Sequence, residues 1–295
     1  MFEGSYVALV TPFKKNGSLD ELKLEELIEF QIKNGTAGIV PCGTTGESPT
    51  LSWEEHNRVI DITVKVVRKR VQVIAGTGSN NTKEAIEATQ HAKQVGADAA
   101  LVVNPYYNKP PQEGLFQHFK AVAEEGGLPI IVYNIPGRTG VNVTPQTLER
   151  LTKVRNISGV KESSGNLGQM AEMIYLCGDK LDFLSGDDNL TLPLLSIGGK
   201  GVVSVIANIC PQETADLVRN YLKGNSAKAR EIHYRLLPLC QSLFLETNPI
   251  PVKAAMNLLG MEVGACRLPL TSLNPSALEA VKKELVTFGL KKKSK

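Results

Sequence analysis

Ile157-Ser158-Gly159-Val160-Lys161-Glu162-Ser163-Ser164-Gly165-Asn166 shows most clearly the unit from which this chain is built. A short apolar run ends at a lysine and opens into a polar Ser/Gly loop. That is the profile of a buried β-strand delivering its last side chain to a loop. Most lysines here, such as Lys65, Lys69 and Lys120, sit on polar helix-like stretches instead. An ammonium group at a buried strand end is costly and tends to lose its proton. The neutral amine attacks carbonyl carbons, which is the basis of Schiff-base catalysis. From position alone, an ordinary ion pair at the strand end explains Lys161 as well.

The same unit recurs on both sides of this stretch. Apolar runs at Tyr6–Val10, Gly38–Val40, Val71–Ala75, Ala99–Val103, Ile130–Tyr133, Ile157–Lys161, Leu181–Ser185 and Gly201–Val205 predict eight strands. Helix-period segments separate them, and several have recognisable ends. Ser52 with Glu55, and Asn81 with Glu84, have capping-box spacing. Thr144-Pro145 places a cap before a proline at the first helical position. Gly35, Gly96, Gly126 and Gly178 are placed as C-terminal glycines. Leu24, Leu27, Ile28 and Ile32 give the first helix an apolar face. Eight β-then-α units with continuously apolar strands imply a parallel sheet covered by helices, and eight suggest closure into a (β/α)8 TIM barrel. A doubly wound open sheet is the alternative, but no nucleotide switch point is marked. After the last strand, Pro211–Leu222, Ser226–Phe244, Pro249–Leu259 and Pro275–Phe288 read as helices, a barrel helix followed by a small C-terminal helical extension. The expected division is a barrel over 1–224 and a C-terminal helical region over 225–295.

Composition narrows the classes of function. The chain has 295 residues, is 42% hydrophobic and carries a net charge of +3. Positive charge clusters only in Lys291-Lys292-Lys293 and Lys295, as expected of a solvated tail rather than a nucleic-acid site. No apolar run is long enough to span a membrane, and no signal peptide is expected ahead of Tyr6–Val10. Cys42, Cys177, Cys210, Cys240 and Cys266 are scattered, which suggests reduced thiols in a cytoplasm. His56, His91, His118 and His233 have no metal-ligand spacing, so no metal is expected. Gly76-Thr77-Gly78 lacks the third glycine of a dinucleotide fingerprint, and there is no Walker A loop. No cofactor is expected.

In a barrel, the loops after the strands form the active face. After the second strand comes Pro41-Cys42-Gly43-Thr44-Thr45-Gly46-Glu47. After the fourth comes Asn104-Pro105-Tyr106-Tyr107-Asn108-Lys109-Pro110. Tyr133 ends the fifth strand and is followed by Asn134-Ile135-Pro136-Gly137-Arg138-Thr139-Gly140. Gly186-Asp187-Asp188-Asn189 follows the seventh. Each piece has an ordinary explanation: a turn at Gly43–Gly46, a core tyrosine, a surface arginine. Together they suit one task. Lys161 forms an imine with a 2-oxo acid, Thr44-Thr45 hold its carboxylate, a tyrosine moves protons, and an arginine grips a second carboxylate.

Gly43–Glu47 (GTTGE), Asn104–Pro110 (NPYYNKP), Tyr133–Gly140 (YNIPGRTG) and Gly159–Asn166 (GVKESSGN) closely resemble the dihydrodipicolinate synthase family, also called 4-hydroxy-tetrahydrodipicolinate synthase. The resemblance runs in order over essentially the whole chain. It places the chain within the pyruvate-dependent class I aldolases that include N-acetylneuraminate lyase. The lysine and Gly-x-x-Gly-Glu segments are shared across that superfamily, whereas the arginine segment is specific to the synthases. The resemblance implies a Schiff base between Lys161 and pyruvate, proton transfer by Tyr133, and a relay completed by Thr44 and Tyr107. It implies that Thr45 holds the pyruvate carboxylate and Arg138 that of L-aspartate 4-semialdehyde, with Gly186 and Val203 lining the site. It also implies Tyr107 reaching into a neighbouring subunit, and a homotetramer built as a dimer of dimers. Ser48, His56, Asn80, Glu84 and Tyr106 match the family's allosteric L-lysine pattern, while Pro49 and Trp53 depart from its enteric form. His56 and Glu84 are equally readable as helix-surface residues. A sister aldolase acting on a 2-keto-3-deoxy sugar acid or N-acetylneuraminate would retain Lys161 and Tyr133 but not Arg138. A non-catalytic barrel sensing pyruvate or lysine would have lost part of the lysine–tyrosine–threonine set.

Overall fold

The computed structural model describes residues 1–291. Eight strands, β1 (Gly4–Ala8), β2 (Gly38–Val40), β3 (Gln72–Gly76), β4 (Ala99–Val103), β5 (Ile130–Asn134), β6 (Ile157–Glu162), β7 (Asp182–Ser185) and β8 (Gly201–Ser204), close in sequence order into a barrel. Every pairing is parallel, including β8 with β1. Around it run α1 (Glu21–Lys33), α2 (Trp53–Val67), α3 (Thr82–Val95), α4 (Gln112–Gly126), α5 (Pro136–Thr139), α6 (Pro145–Leu151), α7 (Leu167–Cys177), α8 (Thr191–Ser196) and α9 (Pro211–Leu222). Three more helices, α10 (Ser226–Ser242), α11 (Ile250–Leu258) and α12 (Pro275–Phe288), follow the barrel. Part of the basic run expected as a tail, Lys292–Lys295, lies outside the described residues.

Side chains alternate across the barrel wall with period two. Tyr6, Ala8, Val40, Ile74, Ala99, Leu101, Ile131, Tyr133, Leu184 and Val203 fill the interior as one cluster. Their chain neighbours Val7, Ile39, Val73, Ala100, Val132, Phe183 and Val202 face the helices. Each buried Ile or Leu of either layer stabilises the fold by roughly 2 kcal/mol. The same alternation aims the chemistry, because Tyr133 is in register with Lys161 and Lys161 with Leu184, both interior positions. Closure depends on a glycine: a Cβ at Gly201 would lie 1.9 Å from the carbonyl oxygen of Gly4, so no side chain fits between β8 and β1.

Helix ends mostly follow the expected signals. Ser52 and Glu55 form a complete capping box, and Thr144 caps α6 with Pro145 at its first position. Three ends differ. Asn81 caps α3 through the amide of Lys83, leaving the Glu84 side chain to Ser79 and Asn81 rather than to a reciprocal box. The left-handed glycine after α4 is Gly127, not Gly126. Gly126 is instead the last helical residue, where a Cβ would meet Thr89 Cγ2 at 2.5 Å. Gly178 ends α7 in right-handed geometry.

Candidate active site

At the C-terminal mouth of the barrel, Lys161 is 5% exposed. Its Nζ stands 4.0 Å from the centroid of the Tyr133 ring, an ammonium over an aromatic face. Gly186 brings the β7 loop against the lysine stem. A Cβ there would lie 2.8 Å from Lys161 Cε and 1.8 Å from Ser163 Oγ, so any larger residue would displace one of these side chains. Val203 lies fully buried in the same interior layer as Tyr133.

Two acidic groups of the β7 loop act on the lysine through their charge. Asp187, in the β7 loop, has its carboxyl pushed up to about 6, chiefly by burial; the charge of Lys161 opposes the rise, while Asp188 and Glu162 add to it. Asp188 is raised by burial too, and its Oδ2 accepts from the amides of Val205 and Ile206, both at 2.9 Å. This ties the β7 loop to the end of β8. Glu162, next in chain to Lys161, points the other way and is buried, which raises its pKa. It accepts from Asn134 Nδ2 at 2.9 Å and the Ser164 amide at 2.7 Å. Asn134 Oδ1 in turn accepts from Asn104 at 2.9 Å. A buried polar chain thus links the ends of β4, β5 and β6, which carry the tyrosine loop, Tyr133 and Lys161.

The GTTGE loop lies opposite. Thr44 is half-buried and Thr45 buried. Glu47 has a left-handed φ of 55° and is fully enclosed. Its Oε1 accepts from Lys253 Nζ of α11 at 2.7 Å and its Oε2 from the Arg267 amide at 2.9 Å. Lys253 also donates to Thr11 and Ala265 carbonyls, both at 3.0 Å, and burial lowers its pKa. Thr45 Oγ1 accepts from Asn248 Nδ2 at 2.9 Å. Arg138, exposed on α5, donates from Nη2 to the Asn248 carbonyl at 3.0 Å. None of Asn248, Lys253 and Arg267 was singled out from sequence. All three come from segments read only as a helical extension.

Thr44, Tyr133 and Arg138 line a cavity of about 410 Å3 that also takes in Ser48, His56, Glu84 and Tyr106. Four of the five residues implied for lysine binding therefore line it. Asn80 is outside it, its amide donating to the Tyr106 carbonyl at 3.1 Å. His56 is not on the helix surface: it is buried, which lowers its pKa, and its ring bonds the Gly76 carbonyl at 2.9 Å while Nδ1 has no partner. Trp53 meets it edge-on, with ring centroids 5.3 Å apart. Lys161, Thr45, Gly186 and Val203 are not among the residues that line the cavity. Tyr107 is not brought to it either. It is 90% exposed and held at φ 74°.

The dihydrodipicolinate synthetase family model matches residues 1–287 of this chain. The chain is 58% identical over 290 residues to the 4-hydroxy-tetrahydrodipicolinate synthase of Syntrophus aciditrophicus, covering 98% of this chain and 99% of that one. Its fold matches the crystal structure of dihydrodipicolinate synthase from Aquifex aeolicus with a TM-score of 0.97 at 51% identity, over 99% and 100% of the two chains. It also matches the lysine-bound crystal structure from Cyanidioschyzon merolae, with a TM-score of 0.95 at 44% identity over 98% and 99%. With a lysine and a tyrosine paired across β5 and β6 and a family match over nearly the full length, the chain belongs to the dihydrodipicolinate synthetase family.

Proposed function

We propose that this chain condenses pyruvate with L-aspartate 4-semialdehyde to give 4-hydroxy-tetrahydrodipicolinate, the committed step of diaminopimelate and lysine biosynthesis. The observation that carries the residue assignments is Lys161 Nζ at 4.0 Å over Tyr133 in the barrel mouth, with Thr45 and Arg138 both held by Asn248. The Lys161 amine adds to the keto carbon of pyruvate, and loss of water leaves a protonated imine. That imine withdraws electrons, so the methyl group gives up a proton and becomes an enamine carbon. The enamine carbon bonds to the aldehyde carbon, and the aldehyde oxygen takes a proton to become the hydroxyl. The amine of the joined product then attacks the imine carbon and expels Lys161, closing the ring. Tyr133, relayed through Thr44 and Tyr107, moves these protons. Thr45 holds the pyruvate carboxylate and Arg138 the semialdehyde carboxylate, with Gly186 and Val203 shaping the space. The exposure of Tyr107 supports a second copy supplying it, within a homotetramer assembled as a dimer of dimers.

The division into a barrel over 1–224 and a helical region over 225–295 is proposed with this function, as is a cytoplasmic location. Among the described residues, no helix is long and apolar enough to cross a membrane. L-lysine is proposed as an effector bound near Ser48, His56, Asn80, Glu84 and Tyr106, with the Glu84 carboxylate taking an ammonium. One coupled assay tests the whole reading. Pyruvate and the semialdehyde should turn over, sugar acids should not, and millimolar L-lysine should slow the rate. Borohydride with pyruvate should tag Lys161, and Lys161→Ala should lose both tag and turnover. An untagged Lys161 defeats the mechanism.

A further inference from the structure

Asn248 lies in the connection between α10 and α11, outside every strand-end loop, yet it touches both groups assigned to the substrate carboxylates. Its side-chain amide donates to Thr45 Oγ1 at 2.9 Å, and its main-chain carbonyl accepts from Arg138 Nη2 at 3.0 Å. The residue is 5% exposed, and its Oδ1 has no partner. The polarity of each bond matters. A hydroxyl that accepts from an amide keeps its own proton free for an anion. A guanidinium that donates to a neutral carbonyl is aimed without being neutralised, so its charge stays available to a carboxylate. A carboxylate at position 248 would do the opposite on both counts: it offers Thr45 no donor, and it brings a negative charge beside Arg138.

We propose that Asn248 is a positioning residue that couples the two carboxylate sites, orienting the Thr45 hydroxyl through its side chain and Arg138 through the backbone that this side chain anchors. The proposal rests on the roles of Thr45 and Arg138 given above. Two otherwise separate substrate subsites then share one fixed point, contributed by a segment outside the barrel.

Steady-state kinetics of Asn248→Ala and Thr45→Val test the coupling. Asn248→Ala should raise KM for both pyruvate and the semialdehyde by about fivefold each, the scale of one lost hydrogen bond, while kcat changes less. Thr45→Val removes an oxygen assigned to pyruvate alone. It should nonetheless raise the semialdehyde KM by about threefold, because Asn248 loses its tether. In the double variant the semialdehyde KM should rise no further than in Asn248→Ala, a non-additive result. The coupling is overturned if Thr45→Val leaves the semialdehyde KM unchanged, or if Asn248→Ala affects pyruvate only. Thr45→Val decides the matter even if Asn248→Ala does not fold. Borohydride trapping separates the two levels. If the unaltered protein gives no pyruvyl adduct, the underlying reading fails. If it gives the adduct but the two KM values respond independently, only the coupling fails.

Discussion

At the scale of single residues, the acidic pair of the β7 loop near Lys161 has a measurable signature. Asp187 in the folded chain holds its proton up to about pH 6, against 3.8 for an ordinary aspartate, mainly because burial penalises its charge. The folded-state pKa is raised, so the stability linked to it is fully present below about pH 4. It is lost as pH rises through about 6. Asp187→Asn removes a charge whose burial is unfavourable near neutrality. The variant should be more stable at pH 8, by an amount on the order of 3 kcal/mol, and melt at a correspondingly higher temperature. The margin should shrink as pH falls through 6, and a margin independent of pH would refute this account. Lys161 stood out in the sequence as a lysine closing an apolar strand, whereas Tyr133 and Arg138 gained their expected roles only from the neighbouring strand-end loops and the motif they share. Asn248 did not stand out, because an asparagine before Pro249 in Thr247-Asn248-Pro249 carries the signal of a chain turn and nothing more.

At the scale of elements, the strands were legible because apolar runs this short and continuous suit only a sheet covered on both faces. Their ends moved by one or two residues where backbone pairing outruns hydrophobicity. β1 begins at Gly4 rather than Tyr6 because Gly4 pairs with Gly201. The fastening of the GTTGE loop to α11 was invisible, since neither Glu47 nor Lys253 reveals its partner along the chain. In that ion pair the Glu47 side chain is 0% exposed and that of Lys253 2%. Lys253→Met strands the Glu47 carboxylate, and its cost should be about 3–5 kcal/mol in denaturant melts. Adding Glu47→Gln should restore a substantial part, because the uncompensated charge is then gone. A single variant as stable as the unaltered chain would show that the pair contributes nothing.

At the scale of the whole molecule, eight repeated units made the barrel legible, while the arrangement of copies leaves no periodic trace in sequence. The exposed Tyr107 gives a direct test. Lys161→Ala subunits and Tyr107→Ala subunits should each be nearly inactive alone. Mixed one to one and allowed to exchange, they should regain about a quarter of the sites, since half the pairs are mixed and one site in each is intact. No regain would mean that Tyr107 serves its own chain. A different consequence follows from the three anchors that fasten the barrel mouth. Asn248, Lys253 and Arg267 all lie beyond β8, so they emerge from the ribosome after every strand has been made. The strand that carries Lys161 is therefore made before the residues that hold Thr45, Arg138 and Glu47. A subunit interrupted just after β8 would hold Lys161 without the groups that fasten the loops around it.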